Sequence, residues 1–152
     1  MSEVLKGVRV VDLTRGPAGG LATMIMADFG AEILVIEAPE RHGTDRLAAT
    51  PMWRRGKRIL PLDTKDAEQR KVLEELLAGA DVCLFNWRSQ VLEAQDLDFD
   101  SVHARHPHLI YCHISGFGSY GPKANYPGYE HLAAAASGRM QAFAGICDRA
   151  GP

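Results

Sequence analysis

The feature that most constrains the fold is the stretch 8–37, VRVVDLTRGPAGGLATMIMADFGAEILVIE. Val8, Val10, Val11 and Leu13 read as a buried strand, residues 14–20 as a glycine-rich turn, 21–29 as an apolar helix closed by Gly30, and 33–36 as a second strand. Such a βαβ unit makes its two strands parallel and its crossover right-handed. In open α/β sheets, ligands bind beyond the carboxyl ends of the strands, which here means residues 14–18 and the neighbourhood of Glu37 and Ala38.

The same alternation continues along the chain. Residues 59–62 form a short strand ending at Asp63, and a helix starts around 64–66 and carries Val72, Leu73, Leu76 and Leu77 at helical spacing before Gly79. Residues 80–85 are the next strand, followed by Asn86, Trp87 and Arg88. A short helix or turn at 91–97, a helix at 98–105 stopped before Pro107, and a fifth strand at 109–114 come next. A glycine-rich stretch, 115–122, precedes an Ala-rich helix at 128–144. Strands alternating with helices predict an α/β fold, a Rossmann-like and mostly parallel open sheet with helices on both faces. With 152 residues the expectation is one domain, with a core large enough to need no disulfide.

Several residues admit two readings. Asp12, at a strand end, either is catalytic or holds the following turn through backbone amides. The turn lacks GxGxxG and the GKS or GKT ending of a triphosphate loop, while Pro17 suits the first turn of a helix, whose free amides favour an anion. Glu37 lies about 20 residues after that turn, where dinucleotide folds carry the acid that binds ribose, so NAD-type binding is one alternative. Met24, Ile25, Met26 and Phe29 make the first helix apolar nearly all round, as for a helix pressed between a sheet and other protein. Arg41, Arg46, Arg54, Arg55, Lys57 and Arg58 are either a solvated surface or a holder for a polyanion. Trp53 among them either stacks on a flat ring or covers an edge of the core.

A formal net charge of −2 gives no global attraction to nucleic acid or an anionic membrane. Cys83, Cys112 and Cys147 form no CxxC pair and read as reduced thiols, with Cys83 and Cys112 buried in apolar strands. His103, His106, His108 and His113 lack metal-ligand spacing, so no metal is expected. No signal-peptide pattern or apolar run of about 18 residues occurs, which predicts a soluble cytoplasmic protein.

The order of motifs resembles the class III CoA-transferases (CaiB/BaiF type), which include the 2-methylacyl-CoA racemases. The matching pieces are LKGVRVVD at the start, MIMADFGAEILVIEAPE, Asp45-Arg46, RGKR at 55–58, LDTK at 62–65, ADVCLFNWR, PHLIY at 107–111, SGFGSYGP and PGYE at 127–130. The resemblance implies that the chain is the amino-terminal, CoA-binding portion of a larger transferase domain, with acyl-CoA and a carboxylic acid as partners. It also implies a homodimer, or completion by a chain carrying the rest. Carried over by position, the contacts to coenzyme A fall on Pro17, Ala18, Ala38, Leu62, Asp63, Thr64, Lys65, Asn86, Trp87, Arg88, Ser115 and Gly116. No catalytic residue is carried over. The Asp that attacks the acyl-CoA in the resembling enzymes lies beyond the final helix read here, and Asp148 sits in the segment before it, so the 152 residues alone are expected to run no transfer chemistry.

This chain departs from the family pattern in places. Pro17 stands where many of these transferases have Gln, Ala94 where a basic residue often lies, and Arg88-Ser89-Gln90 in place of Arg-Pro-Gly. Asp96 replaces the usual Gly, and Tyr129 replaces the His base of the racemases, which disfavours two-base epimerisation. A non-catalytic CoA-binding or dimerising module is the second alternative.

Overall fold

A computed structural model describes residues 3–39 and 48–142. Among them, five strands form one sheet in the order β3-β2-β1-β4-β5, all neighbours parallel. The strands are β1 (Arg9–Asp12), β2 (Glu32–Glu37), β3 (Lys57–Pro61), β4 (Val82–Phe85) and β5 (Ile110–His113). The helices named here are α1 (Pro17–Asp28), α2 (Thr50–Trp53), α3 (Ala67–Ala78), α4 (Ser89–Glu93), α5 (Phe99–Arg105) and α6 (Glu130–Ala136). Val11 pairs with Leu34 on one side and Cys83 on the other, so β1 is central and the strand order reverses between β1 and β4. A crevice opens at such a switch point, at the carboxyl ends of the two strands.

The chain divides into two compact units, residues 1–87 with 91–114, and residues 88–90 with 115–152. In the first, alternation along each strand sends side chains to two cores. Val11, Leu13, Cys83 and Phe85 pack with Leu73 and Leu77 of α3, Leu92 of α4 and Val102 of α5. Val10, Ile33, Val35 and Leu84 pack with Ala22, Met26 and Ala27 of α1. The sheet is thus covered on both faces, as expected. Asp66 and Asp98 fix two helix starts: Asp66 accepts from the amides of Glu68 and Gln69 at 3.1 and 2.9 Å, and Asp98 from that of Ser101 at 3.1 Å. In the second unit, Gly116 and Gly128 touch backbone to backbone, since a Cβ on Gly116 would lie 2.3 Å from the Cα of Gly128.

Three expectations are corrected. The first helix begins at Pro17, so half of the expected turn is helical; proline's fixed φ at the first helical position offsets the low propensity of Gly19 and Gly20. The Ala-rich helix ends at Ala136, where Ser137 caps it and Gly138 takes a φ of 76°. Cys112 is exposed because it lies on the side of edge strand β5 shared with the exposed Ile110, opposite the half-buried Tyr111 and His113, whereas Cys83 is buried between β1 and β5 and its thiol is pushed up to about 12 by desolvation. Cys147 lies outside the described residues, as do Arg41 and Arg46. Leu21, Ile25 and Phe29, one stripe of α1, are 45%, 46% and 40% exposed, so the described residues cover only the other face of that helix. No helix among the described residues is long and apolar enough to cross a membrane.

Candidate functional site

Four polar side chains meet at the carboxyl end of β1. Asp12 Oδ1 accepts from the Thr14 amide at 2.9 Å and the Thr14 hydroxyl at 2.6 Å, and Oδ2 accepts from the Thr23 hydroxyl of α1 at 2.6 Å. Thr23 has one hydroxyl proton, and the charged carboxylate is nearer than the Gly19 carbonyl at 2.9 Å, so the proton goes to Asp12. From β3, Lys57 Nζ donates to the Gly20 carbonyl at 2.9 Å and to Thr23 Oγ1 at 2.6 Å, and it stands 3.9 Å from Asp12 Oδ2. Both charged side chains are 2% exposed. Burial pushes the Lys57 pKa down from its ordinary value, and the Asp12 carboxylate opposes that shift.

This network defines the turn after β1. Thr14 presses so closely on α1 that a Cβ on Gly19 would come within 1.8 Å of its hydroxyl oxygen, which excludes any larger residue there. Of the two readings of Asp12, the turn-holding one is what the structure shows. Asn86, following β4, clamps the same turn across the switch point: its Oδ1 accepts from the Arg15 amide at 2.9 Å and its Nδ2 donates to the Arg15 carbonyl at 2.7 Å. The Arg15 guanidinium carbon lies 5.4 Å from the centre of the Trp87 ring, a cation–π contact. The Trp87 indole Nε1 is buried and lacks a hydrogen-bond partner among the described residues.

A cleft open to solvent lies beside the turn and is lined by Asp12, Thr14, Arg15, Gly16, Gly20, Val35, Ile36, Glu37, Ala38, Thr50, Trp53, Arg54 and Lys57. Its Glu37 is ion-paired with Arg54, at 2.5 Å from Nη2 to Oε1. The neighbouring cations are engaged too: Arg55 binds Asp28, and Arg58 stands 3.6 Å from Glu32. The described part of the cationic run is therefore a set of intramolecular ion pairs. Arg55 holds the Asp28 carboxyl below its ordinary value, chiefly through their hydrogen bond.

Most of the residues carried over from the family resemblance lie along one edge. Pro17 and Ala18 follow β1 and are exposed; Ala38 follows β2 and lines the cleft; Leu62, Asp63, Thr64 and Lys65 follow β3; Asn86 and Trp87 follow β4. Because β3, β2, β1 and β4 are consecutive neighbours, these positions share the carboxyl edge of the sheet. Leu62 turns its side chain into the core, 3% exposed, so only its backbone is free to face a ligand. Asp63 Oδ1 accepts from the Lys65 amide at 2.9 Å, and the Thr64 hydroxyl donates to Gln95 at 2.7 Å, leaving Lys65 exposed at the tip. Arg88, exposed, and Ser115 and Gly116 belong to the second unit. Sequence reasoning passed over Thr23 and the role of Lys57. Their link joins residues 34 apart in the chain, and no local pattern announces it.

The histidines are dispersed in use. His103 stacks on Phe99, His106 Nε2 lies 2.9 Å from Glu74 Oε2, and His113 Nε2 lies 2.8 Å from the Trp87 carbonyl. Among the described residues no group of three or more His, Cys, Asp or Glu side chains is arranged to hold a metal ion.

Residues 5–151 match CoA-transferase family III. The chain is 35% identical over 146 residues to a succinyl-CoA:glutarate CoA-transferase of Homo sapiens, covering 90% of this chain and 33% of that protein. It is likewise 35% identical over 153 residues to a succinate–glutarate CoA-transferase of Agrobacterium fabrum, covering 90% of this chain and 38% of that protein. The chain thus spans about a third of the length of these relatives. Among solved structures, a CaiB/BaiF family protein from Brucella suis superposes with a TM-score of 0.79 at 33% identity, covering 91% of this chain and 40% of that one. On a match that runs through nearly every residue, the chain belongs to CoA-transferase family III.

Proposed function

We propose that these residues form the CoA-binding portion of a transferase that moves CoA between an acyl-CoA and a carboxylic acid. The observation that carries the reading is the shared sheet edge: the loops after four adjacent parallel strands bring Pro17, Ala18, Ala38, Lys65, Asn86 and Trp87 to one side. Exposed Lys65 supplies a cation for phosphate, and the free amides at the start of α1, near Pro17 and Ala18, favour a carbonyl or an anion. Leu62, Asp63 and Thr64 contribute backbone and turn polarity beside Lys65.

Transfer needs a carboxylate that attacks the thioester carbonyl, forms a mixed anhydride and expels the CoA thiolate. The two carboxylates of the cleft are otherwise engaged, Asp12 with Thr14, Thr23 and Lys57, and Glu37 with Arg54. These 152 residues alone are therefore expected to bind CoA without exchanging it. Glu37, on which the NAD-type alternative rested, is paired with Arg54. Association with a second copy, or with a chain carrying the remaining portion, fits the exposed stripe of Leu21, Ile25 and Phe29.

Calorimetric titration with CoA tests the reading. A saturable heat is expected, and none up to millimolar CoA overturns it. Mixing the protein with succinyl-CoA and glutarate is expected to give no glutaryl-CoA; turnover would place a nucleophile within these residues.

A further inference from the structure

Lys57 is a buried cation that the proposed CoA contacts do not use. Removing an ammonium from water costs hydration that a partner at 3.9 Å restores only in part, so the group is a poor choice for stability alone. Its placement is specific. Lys57 opens β3, and β2 separates β3 from β1 in the sheet, yet its ammonium reaches the first two turns of α1 at Gly20 and Thr23. Thr23 passes the contact to Asp12, and Asp12 holds both the amide and the hydroxyl of Thr14. The chain of bonds therefore brackets Pro17 and Ala18 on both sides.

We propose that Lys57 is a positioning residue for the turn between β1 and α1, its ammonium fixing Gly20 and Thr23 so that Pro17 and Ala18 are held ready for CoA. Only the last clause rests on the CoA reading; the fixing of the turn stands by itself. Without the ammonium, Thr23 and the Gly20 carbonyl lose their common anchor, and Asp12 holds Thr14 without a counter-charge. The turn then samples other arrangements, and a ligand must order it on binding.

The test uses the whole chain with Lys57→Met, Lys57→Arg and, as a surface control one residue away, Arg58→Met. Amide hydrogen exchange by NMR at Thr14 and Gly20 is compared with that of core amides in β1 and β4, alongside calorimetry with CoA. Lys57→Met is expected to speed exchange at Thr14 and Gly20 by roughly tenfold beyond any change at the core amides, which report global stability, and to raise the CoA Kd by roughly tenfold, the effect of losing one charge-assisted bond. Lys57→Arg, which keeps charge and donors, is expected to restore most of both, and Arg58→Met to change neither. If Lys57→Met fails to fold, Thr23→Val breaks the same relay and is expected to loosen the same two amides. Exchange at Thr14 and Gly20 that changes no more than at the core amides in a folded Lys57→Met or Thr23→Val protein overturns the proposal, as does an Arg variant as loose as the Met one. A CoA affinity lowered equally by Arg58→Met would assign the effect to general attraction of phosphates and overturn the CoA clause. Absence of CoA binding by the unaltered chain refutes the CoA reading, while the exchange measurement still decides the turn.

Discussion

Two ionic clusters in the first unit use similar residues to different ends. At the carboxyl edge, Asp12 and Lys57 have side chains both 2% exposed, and their side-chain hydrogen bonds reach the turn after β1 or the start of α1. Elsewhere, Glu74 of α3 gathers Arg70 at 3.1 Å, Arg105 at 3.1 Å and His106 at 2.9 Å, with its side chain 28% exposed. The second cluster ties two neighbouring helices together where water still reaches the charges. The first sits beside the cleft and beneath the expected ligand contacts. Burial makes the difference: in water an ion pair is easily replaced by hydration, whereas in the interior a lost partner leaves a charge with nothing to solvate it.

The largest expected effect tests that contrast directly. Asp12→Ala strands the Lys57 ammonium and the donors of Thr14 and Thr23, and is expected to cost about 3–5 kcal/mol in urea unfolding, the range for breaking a buried pair from one side. If Asp12→Ala proves no worse than a change at Glu74, burial is not what separates the clusters.

Glu74→Gln is expected to cost about 1 kcal/mol near neutral pH, since solvent screening discounts the pairs. Its pH dependence sharpens the comparison. Burial pushes the Glu74 carboxyl up, but His106, Arg105 and Arg70 together hold it below the ordinary value of 4.5. Because the folded pKa is depressed, the stabilisation is fully present above the unfolded value and is lost as pH falls through the folded one. The stability gap between the native chain and Glu74→Gln should therefore close as pH drops below about 4, measured by urea midpoints across pH 3–7. A gap that stays constant would mean that Glu74 contributes by packing.

The smallest effect belongs to Arg58→Met. With 75% of the Arg58 side chain exposed and Glu32 3.6 Å away, unfolding free energy should move by no more than about 0.5 kcal/mol. A loss comparable to that from Asp12→Ala would erase the distinction between surface and buried charge in this protein.

The comparison also separates what was legible in the residues from what was not. Alternating apolar strands and amphipathic helices announced the parallel sheet, and Asp66 and Asp98 announced two helix starts, because these signals act over a few residues. Glu37 was legible as a strand-end acid, but not as the partner of Arg54, and the cationic run was legible as charge but not as a set of internal pairs. Pro17 pointed to a helix start, yet the extent of the turn was misjudged because the glycines after it suggested loop. Cys112 was read as buried from its apolar neighbours; the described residues leave open the side of edge strand β5 that it shares with Ile110.

By itself, then, the sequence determined the class of fold and the family, since periodicity and ordered motifs are written along the chain. The tertiary structure alone decided which charges are committed to one another. Lys57 meets Thr23, Asp12 and Gly20 only after the strand order has brought β3 and α1 together, and an ion pair's worth depends on burial, which no single stretch of residues carries.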